Sequence, residues 1–429
     1  MSDDKFDVII VGAGIAGCTA AYILAKAGLN PLVIERGNSA GSKNMTGGRL
    51  YAHSLEKIIP GFATQAPIER IVTHEKISFL TENSAVTIDY QHDKTVDPVQ
   101  HSYTVLRSQF DQWLMSKAEA VGAQFISGIR VDELVSANGQ VTGIKAGDDI
   151  IEANVVILAE GANGLLSQSI SMGFDQQPHN LAIGVKELIA LPESQINERF
   201  NLLNNQGTAW LFAGAPTNGL SGGGFLYTNK NSLSLGLVCH LSEIEKANKS
   251  IPQMLADFKQ HPTIHPLIQG GTLLEYSAHL IPEGGIKAIT HLYDNGILVV
   301  GDAAGLSLNL GFTVRGMDLA ITSAELAAQA VITAKNNNDF TKQGLATYLT
   351  SLKESTAFKD MQRYKNRPAT LSNPRLFNQY PQIAANIMHD IFTQDGQPNQ
   401  SLFKTLMKQS KQVGIMNLAK DLIQGIRAR

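Results

Sequence analysis

Hydrophobic runs and one helical pattern divide the first 36 residues into three predicted elements. Phe6–Val11 is an apolar run rich in β-branched residues, which predicts a strand buried on both faces. Residues 18–27 are rich in Ala and are followed by Gly28, which predicts a helix with a glycine at its C-terminal cap. Residues 29–34 form a second apolar run. The order strand, helix, strand predicts a βαβ unit, and therefore an α/β fold.

The same pattern returns later in the chain. Apolar runs at 155–158 and 296–300 predict buried strands, and the Ala-rich residues 317–335 predict a long helix. Between these regions, residues 173–283 mix strand-like runs with Gly, Asn and Pro turns, which predicts an inserted, sheet-rich domain. Residues 346–400 have a helical pattern interrupted by prolines.

A tight hairpin is predicted by two runs, 130–134 and 141–145, which flank Asn138-Gly139. Asn-Gly suits this turn because both residues adopt a positive φ at low cost.

Residues 401–429 combine helical hydrophobic spacing with positive charge. Six Lys and Arg stand against Asp421, a net +5. The apolar positions are Phe403, Leu406, Met407, Ile415, Leu418, Leu422 and Ile426. This pattern predicts basic amphipathic helices. Two interpretations stay open: a helical cap packed on the body, or a reversible contact with an anionic membrane surface or an acidic partner.

Composition narrows the class of protein. The 429 residues contain 35 Lys and Arg against 38 Asp and Glu, which argues against nucleic acid as the main partner. The two cysteines, Cys18 and Cys239, cannot form a disulfide framework, a four-cysteine zinc site or a cubane iron–sulfur cluster. Neither a signal peptide nor a run of about 20 apolar residues is found. We expect a cytoplasmic protein, with peripheral contact to the inner face of the membrane as a further hypothesis.

The first strand leads into Gly12-Ala13-Gly14-Ile15-Ala16-Gly17, a dinucleotide-binding fingerprint. Gly12 permits the tight turn, Gly14 lets the backbone approach a pyrophosphate, and Gly17 lets helix and strand pack closely. The helix N-terminus offers free N–H groups to the phosphates. We predict that Ile15, Ala16, Glu35 and Arg36 belong to the same site, with Glu35 accepting hydrogen bonds from ribose hydroxyls. This fingerprint alone does not distinguish FAD from NAD.

A second segment favours FAD over NAD. Gly301-Asp302 ends an apolar run, and Gly311-Phe312-Thr313 precedes the helix predicted at 317–335. This arrangement resembles the second FAD motif of the flavin hydroxylase and reductase superfamily. The resemblance implies that Asp302 binds the ribityl chain and that the helix N-terminus points at the flavin ring, where its dipole stabilises negative charge.

Two shorter segments agree with FAD. Arg107 begins an Arg-x-x-x-Asp-x-x-Leu pattern that resembles a helix start of these flavoproteins, which implies a position near the cofactor phosphates. Ala159-Glu160-Gly161 resembles their Asp-Gly motif, although Glu160 stands where Asp is usual. We add Val131 to the predicted cofactor-binding residues. No metal site is predicted.

The predicted architecture is a Rossmann-like FAD-binding domain of the glutathione-reductase and hydroxylase type, with an inserted sheet-rich substrate domain and a helical C-terminus. The predicted limits are 1–70, 104–172 and 285–345 for the FAD-binding domain, 71–103 and 173–284 for the substrate domain, and 346–429 for the helical region. Lys186 and Glu187 are assigned to the substrate-side sheet. His74, His240 and His279 are interpreted as structural residues.

Three stretches narrow the family further. These are the Gly-rich residues 41–50, residues 181–188 with Gly-Val-Lys-Glu, and the Arg- and Asn-rich residues 363–377. They resemble the FixC-type flavoproteins, relatives of electron-transfer flavoprotein:quinone oxidoreductase. The resemblance implies that FAD passes electrons from an electron-transfer flavoprotein towards quinone.

The resemblance also implies ring-side residues and a partner. Gly47, Gly48 and Arg49 are expected along one side of the flavin ring, and Gly311, Phe312 and Thr313 along the other. The single-chain quinone oxidoreductases end in a segment with a cysteine-ligated cluster, and this chain has no cysteine after Cys239. FixC-type proteins are similar in this respect, which implies a separate ferredoxin-like iron–sulfur protein.

Three other functions stay open at this point. A geranylgeranyl-reductase-like isoprenoid reductase and a flavin-dependent aromatic hydroxylase share the predicted fold. A non-catalytic flavin-binding subunit of a complex is the third. The disulfide reductases are excluded, because they need a redox cysteine pair beside the flavin.

Overall fold

The computed structural model describes residues 5–42, 44, 48–92, 97–396, 398 and 401–427. The strands are β1 (Phe6–Val11), β2 (Pro31–Glu35), β3 (Gly48–Tyr51), β4 (Ile68–Leu80), β5 (Ala85–Gln91), β6 (Ser102–Val105), β7 (Gln124–Ser127), β8 (Glu133–Ala137), β9 (Gln140–Ala146), β10 (Asp149–Leu158), β11 (Leu181–Ala190), β12 (Gln206–Gly214), β13 (Gly222–Thr228), β14 (Ser232–His240), β15 (Thr272–Pro282), β16 (Tyr293–Asp294), β17 (Ile297–Val299), β18 (Leu308–Asn309) and β19 (Val314–Arg315).

Helices lie between the strands and then make up the C-terminal region. They are α1 (Ile15–Lys26), α2 (His53–Ile58), α3 (Arg107–Glu119), α4 (Leu165–Ser169), α5 (Glu193–Phe200), α6 (Leu241–Ile244), α7 (Ile251–Gln260), α8 (His265–Ile268), α9 (Met317–Asn337), α10 (Lys342–Leu345), α11 (Thr347–Glu354), α12 (Thr356–Arg363), α13 (Arg367–Leu371), α14 (Gln379–Phe392), α15 (Leu402–Val413) and α16 (Ile415–Arg427).

The first sheet, which we call the cofactor sheet, has a parallel centre. Its strands follow the order β16-β17-β10-β1-β2-β7, with β17, β10, β1, β2 and β7 parallel and β16 antiparallel at one edge. Residues Val8, Ile9 and Ile10 of β1 are fully buried, as expected for a strand covered on both faces. The predicted strands at 6–11, 155–158 and 296–300 are confirmed.

The predicted hairpin is also confirmed. β8 and β9 pair antiparallel, with Ala137 opposite Gln140. The turn residues Asn138 and Gly139 have φ of 53° and 78°, the positive values that a type I′ turn requires.

Small residues let two helices pack closely on the cofactor sheet. Cys18, Ala20 and Ala21 of α1 are fully buried, as are Ala324 and Ala327 of α9. A Cβ on Gly301, which has φ of 64°, would lie 3.2 Å from the Cβ of Ala16. Because of this close packing, the N-termini of both helices reach the same edge of the sheet.

The second sheet, which we call the wall sheet, is mainly antiparallel. Its order is β15-β11-β14-β13-β12-β4-β6-β3, with β5 paired to β4 and only the β12–β4 pair parallel among the described pairs. Odd-numbered residues of β14, such as Leu235 and Leu237, pack with Met254 and Phe258 of α7 in a separate hydrophobic cluster. By strand alternation, the even-numbered residues Val238 and His240 face the opposite side.

The predicted domain limits stay a prediction, but the strands cross two of them. β6 spans the limit between residues 103 and 104 and pairs with β3 in the wall sheet, although Gly48 and Val105 both fall within the predicted FAD-binding domain. The limit between residues 70 and 71 lies inside β4. The place of β3 and β6 in the wall sheet could not be predicted, because a four-residue strand leaves almost no hydrophobic period.

Candidate functional site

The glycine fingerprint forms the tight strand-to-helix turn that the sequence predicts. Gly12 has φ of 103°, and a Cβ there would lie 2.5 Å from the carbonyl oxygen of Ala159. A Cβ on Gly17 would lie 1.9 Å from the carbonyl oxygen of Gly12. Both contacts are shorter than any carbon–oxygen packing distance, so only glycine fits at either position. Gly14 precedes α1, whose free N–H groups open into a cavity.

Glu35, the last residue of β2, stabilises this turn. Its two carboxylate oxygens accept hydrogen bonds from the backbone N–H of Ala13 at 2.8 Å and of Gly37 at 2.6 Å. A carboxylate has about four lone-pair sites, so each oxygen retains acceptor capacity for a ribose hydroxyl. Arg36 follows Glu35 and lines the same cavity.

Arg107 stands beside the glycine turn and is held by Asp111. The guanidinium donates from Nε and Nη2 to the two oxygens of Asp111, at 2.8 and 2.9 Å. Asn44 also donates to Asp111, at 2.6 Å. A Cβ on Gly14 would lie 3.7 Å from Nδ2 of Asn44 and 4.0 Å from Nη2 of Arg107. Asp111 therefore orients two donors beside the glycine turn.

The segment after β10 contributes Ala159, Glu160 and Gly161 to the cavity lining, together with Val131. The carboxylate of Glu160 accepts from the backbone N–H of Leu166 at 3.0 Å and of Ser167 at 2.7 Å. Glu160 therefore caps the start of α4.

Asp302 lines the cavity and follows Gly301, where an added Cβ would lie 3.2 Å from the Cβ of Ala16 in α1 and 3.5 Å from that of Ala320 in α9. Burial raises the pKa of the Asp302 carboxyl, while His279 and Arg107 oppose that shift. Burial lowers the pKa of His279, which lines the same cavity from β15. The sequence analysis assigned His240 and His279 structural roles only and missed their position at the cavity wall.

The predicted ring-side loop, residues 311–313, is held at its start by Asn309 and Arg367. The backbone N–H of Gly311 donates to Oδ1 of Asn309 at 2.8 Å, so this donor already has an acceptor within the protein. Arg367 of α13 donates twice to the carbonyl of Leu310, at 2.9 and 2.7 Å, and its guanidinium lies 5.5 Å from the ring centroid of Phe312. These contacts give the loop one defined conformation.

On the predicted opposite side of the ring, Gly48 and Arg49 lie in β3, whereas Gly47 lies outside the described residues. Arg49 forms a bidentate ion pair with Glu75 of β4, donates from Nε to Ser102 at 3.0 Å, and stacks on Tyr51 with 4.6 Å to the ring centroid. This arrangement fixes the Arg49 guanidinium in the cavity wall, with its charge balanced by Glu75.

A single cavity of about 760 Å³ joins these groups to the wall sheet. Predicted residues that line it are Gly12, Gly14, Ile15, Ala16, Glu35, Arg36, Gly48, Arg49, Arg107, Val131, Ala159, Glu160, Gly161, Gly301, Asp302, Gly311 and Phe312. Gly17 and Thr313 are described but stand outside this lining. The wall sheet adds an apolar surface, formed by Ile77, Phe79, Leu211, Phe212, Phe225, Val238 and Ile281.

These residues fit FAD. The volume falls in the range of ligand cavities. Gly14 and the α1 N-terminus suit a pyrophosphate, Glu35 a ribose, and Arg107 a phosphate, while the apolar wall suits an aromatic ring. When bound, FAD supplies electron transfer, and the protein positions the ring and shields it from water. The fold and the cavity define an FAD-dependent oxidoreductase.

Comparisons with known proteins agree with this class. An FAD-binding domain model matches residues 5–205, a model described as ETF-QO, ubiquinone-binding matches 181–281, and the ETF-QO/FixC family C-terminal domain matches 367–429. The chain is 60% identical to the probable electron transfer flavoprotein-quinone oxidoreductase YdiS of Escherichia coli K12, covering 100% of both chains. It is 56% identical to protein FixC of the same strain, covering 99% of both. The chain therefore belongs to the ETF-QO/FixC family, and the resemblance noted from the sequence is confirmed.

Solved structures support the fold. A geranylgeranyl bacteriochlorophyll reductase-like protein of Thermoplasma acidophilum matches with a TM-score of 0.73 at 20% identity, covering 98% of this chain and 99% of that one. The myxobacterial chondrochloren halogenase matches with a TM-score of 0.62 at 17% identity, covering 97% and 90%. At this identity the likeness concerns the fold alone.

The sequence analysis missed several residues of the site. Asn44, Asn309 and Arg367 orient predicted residues, and Tyr227 and Glu283 line the cavity. The sequence did contain a signal for three of them: Asn44 and Arg367 lie in stretches that resemble the FixC-type flavoproteins, and Asn309 lies within the second FAD motif. Tyr227 and Glu283 had none.

Proposed function

We propose that this chain passes electrons from an electron-transfer flavoprotein, through FAD, towards quinone. This proposal rests mainly on one cavity, which joins the glycine fingerprint to the apolar surface of the wall sheet. Much of that apolar surface lies within residues 181–281, the range matched by the ubiquinone-binding model. A flavin ring and an apolar acceptor would therefore share one water-poor space. The names of the relatives, which include quinone oxidoreductase, support the same proposal.

Neither cysteine is suited to take part in this electron transfer through its thiol. Cys18 and Cys239 are both free and buried, on α1 and β14. Burial raises the pKa of the Cys18 thiol well above its usual range and that of Cys239 to about 12, which keeps both thiols protonated. Electron transfer is then a property of the FAD site alone.

We also propose a separate ferredoxin-like iron–sulfur partner. Two buried cysteines, one on helix α1 and one on strand β14, cannot ligate a four-cysteine cluster. A cluster in this electron path must come from another protein. Co-purification of an iron–sulfur protein with the tagged chain, with an EPR signal that disappears when the partner is removed, is the expected result. A cluster signal from the chain alone would refute the proposal.

The C-terminal helices support a reversible contact with a membrane surface. Exposed apolar side chains on α14, α15 and α16 include Phe392, Phe403 and Met416, which are 78%, 71% and 87% exposed. Lys404, Lys411 and Lys420 lie on the same helices. Within the described residues, no helix is long and apolar enough to span a bilayer. We propose a cytoplasmic protein that binds anionic lipid peripherally.

Vesicle flotation tests the membrane contact. The triple variant Lys404→Glu, Lys411→Glu, Lys420→Glu should lose binding to vesicles that contain anionic lipid, because each basic residue near the surface contributes about 1 kcal/mol. A matched control reverses three lysines outside this region, Lys246, Lys353 and Lys359, and should float like the wild type. Equal flotation of all three proteins would reject the contact.

Anaerobic reduction of the FAD-loaded protein tests the electron donor. A reduced electron-transfer flavoprotein should bleach the flavin absorbance, and NADPH should not. Subsequent addition of a soluble short-chain quinone should restore the absorbance. Rapid reduction by NADPH, stimulated by an aromatic acid, would instead support the hydroxylase. If the chain binds no flavin, the remaining hypothesis is a non-catalytic, structural role in a complex.

A further inference from the structure

A buried carboxyl group stands between the main cavity and a much smaller one. Glu283 follows β15 directly and lines the 760 Å³ cavity. It also lines a second space of about 10 Å³, whose other residues include Ser307, Met361 and Tyr364. This smaller volume is at the lower limit of what one water molecule needs. The carboxyl group therefore separates a water-sized space from the space that holds the flavin and the acceptor.

The backbone holds Glu283 in this position. Its N–H donates to the carbonyl of Asn180 at 2.8 Å, and the N–H of Gly284 donates to the same carbonyl at 3.1 Å. A Cβ on Gly284 would lie 2.5 Å from the Cβ of Ala288, so the turn after Glu283 accepts only glycine. The backbone that carries the Glu283 side chain is thus held in place by Asn180 and by the glycine turn.

The polar contacts of the side chain are weak. Nδ2 of Asn309 lies 3.4 and 3.3 Å from the two carboxylate oxygens of Glu283, at the long end of the hydrogen-bond range. Burial raises the pKa of this carboxyl group to about 7, and Asn309 opposes the shift. A glutamine would satisfy Asn309 equally well, so these contacts do not explain why an ionisable acid is buried here.

The neighbouring ionisable groups offer no strong counter-charge. His240 of β14 and Tyr364 after α12 share the smaller space, and His279 and Arg367 line the main cavity. Burial lowers the pKa of His240, so its ring is neutral near pH 7. The carboxyl group can therefore exist in both protonation states near neutral pH, as a proton donor must.

We propose that Glu283 is the proton donor to the quinone, and that water in the smaller space reprotonates it. This inference rests on the proposed function. Reduction of a quinone to a quinol takes two electrons and two protons. Both electrons and, on reoxidation, one proton come from the reduced, anionic flavin, and this proton forms an O–H bond at one quinone oxygen. Glu283 gives its carboxyl proton to the other oxygen and becomes a carboxylate. It is reprotonated by a proton that passes from solvent through the water in the smaller space, so no hydroxide is left behind.

Asn309 connects this acid to the ring-side loop. Its amide nitrogen lies beside Glu283, and its amide oxygen accepts from the N–H of Gly311 at 2.8 Å. The residue that positions the loop therefore also contacts the acid. Proton delivery and ring position are coupled through one side chain.

Reoxidation of the chemically reduced, FAD-loaded protein tests the proposal. In the variant Glu283→Gln, reoxidation by a soluble short-chain quinone should slow about 100-fold, within the usual range for general acid catalysis. Reoxidation by ferricyanide, which takes electrons without protons, should keep the wild-type rate. Equal slowing with both acceptors, or no slowing with quinone, would overturn the proposal. Because the flavin is reduced chemically, failure of the electron-transfer flavoprotein as donor does not affect this test.

A pH series and an infrared spectrum separate proton donation from a structural role. The wild-type quinone rate should fall as pH rises through about 7, because Glu283 loses its proton there. The variant should be slow at all pH values. The wild type should also show a carbonyl stretching band of a protonated carboxylic acid that titrates over this range. Persistence of that band in Glu283→Gln would overturn the assignment.

Two further variants serve as controls. Glu187→Gln removes another buried carboxyl group, which is paired with Lys259 at 2.6 Å, and should keep the quinone rate. Glu283→Asp keeps the acid but withdraws it by one methylene, and should recover part of the rate lost in Glu283→Gln. Identical rates for Asp and Gln at position 283 would contradict a proton-donating role.

Discussion

The cofactor sheet and the wall sheet build one cavity by opposite means. On the cofactor sheet, the site is formed by backbone groups and glycines of a few short segments, such as Gly12, Gly17 and Gly301. On the wall sheet, it is formed by side chains from strands far apart in the chain, such as Ile77, Leu211 and Ile281. The first half therefore depends on local backbone geometry, and the second on strand register.

The two sheets also differ in how they treat charge. Around the cofactor sheet, the buried Asp111 is paired with Arg107. The wall sheet also contains an ion pair, Arg49 with Glu75. In addition it encloses Arg70 with backbone carbonyls and buries Lys186, and this burial lowers the pKa of Lys186 to about 7. Substitutions confined to one sheet can test whether the stability of the wall sheet and FAD binding at the cofactor sheet depend on each other.

The largest effect is expected for Gly17→Ala. The added Cβ would lie 1.9 Å from the carbonyl oxygen of Gly12, so the turn must open. We expect a loss of more than about 4 kcal/mol in the free energy of unfolding and a chain that purifies without flavin. Gly28→Ala is the matched control, because Gly28 has φ of 84° but no atom within 4 Å, and should cost about 1–2 kcal/mol. Flavin retention by Gly17→Ala would contradict the steric argument.

Lys186→Met should give the next largest effect, and one that depends on pH. Burial lowers the pKa of Lys186 from 10.5 in the unfolded chain to about 7, with Glu275 opposing the shift. Between these values the unfolded state binds more protons, so this lysine makes stability rise with pH. The full span corresponds to at most about 5 kcal/mol. Urea unfolding should show the variant more stable than the wild type at pH 6, with the gap closing towards pH 10. A constant gap would contradict this prediction.

Arg70→Met should destabilise the wall sheet by about 3–5 kcal/mol, because several buried acceptors lose their donor. Arg70 donates from Nε to the carbonyl of Asn229 at 2.7 Å, and from Nη1 to Oδ1 of Asn197 at 2.7 Å. FAD affinity, measured by fluorescence titration, should stay at the wild-type value, because Arg70, Asn197 and Asn229 do not line the cavity. Arg70→Lys should recover part of the stability. A parallel loss of FAD affinity would show that the halves are not separable.

Asp111→Asn should have the smallest effect, and only on the cofactor side. It removes the carboxylate that holds Arg107 and Asn44 beside the glycine turn. We expect the dissociation constant of FAD to rise about tenfold, or about 1.4 kcal/mol. Asp257→Asn, which loses an exposed partner of Lys249, should change neither affinity nor stability by more than about 0.5 kcal/mol. An unchanged FAD affinity in Asp111→Asn would remove Asp111 from the site.

Much of the cofactor sheet could be predicted because its information is local. The positive φ of Gly12, the Asn138-Gly139 turn and the start of α9 each depend on residues within a short window. The edge strand β3 and the start of β4 could not be predicted as part of the wall sheet. Their partners lie tens of residues away, and a short edge strand has no periodic pattern of its own.

By itself, the sequence determined the βαβ unit and the dinucleotide-binding turn, because glycine spacing and apolar runs restrict the backbone directly. The choice of FAD and of the family came from the resemblance of further segments to known flavoproteins. Only the tertiary structure decided which distant side chains share the cavity. It brought Glu283, Asn309 and His279 to one wall, held Gly311 with Asn309, and buried Lys186. Burial and strand register set these contacts and the pKa values of the buried groups. Burial and register cannot be predicted from a local sequence pattern, because both depend on residues that come into contact only when the sheets pack.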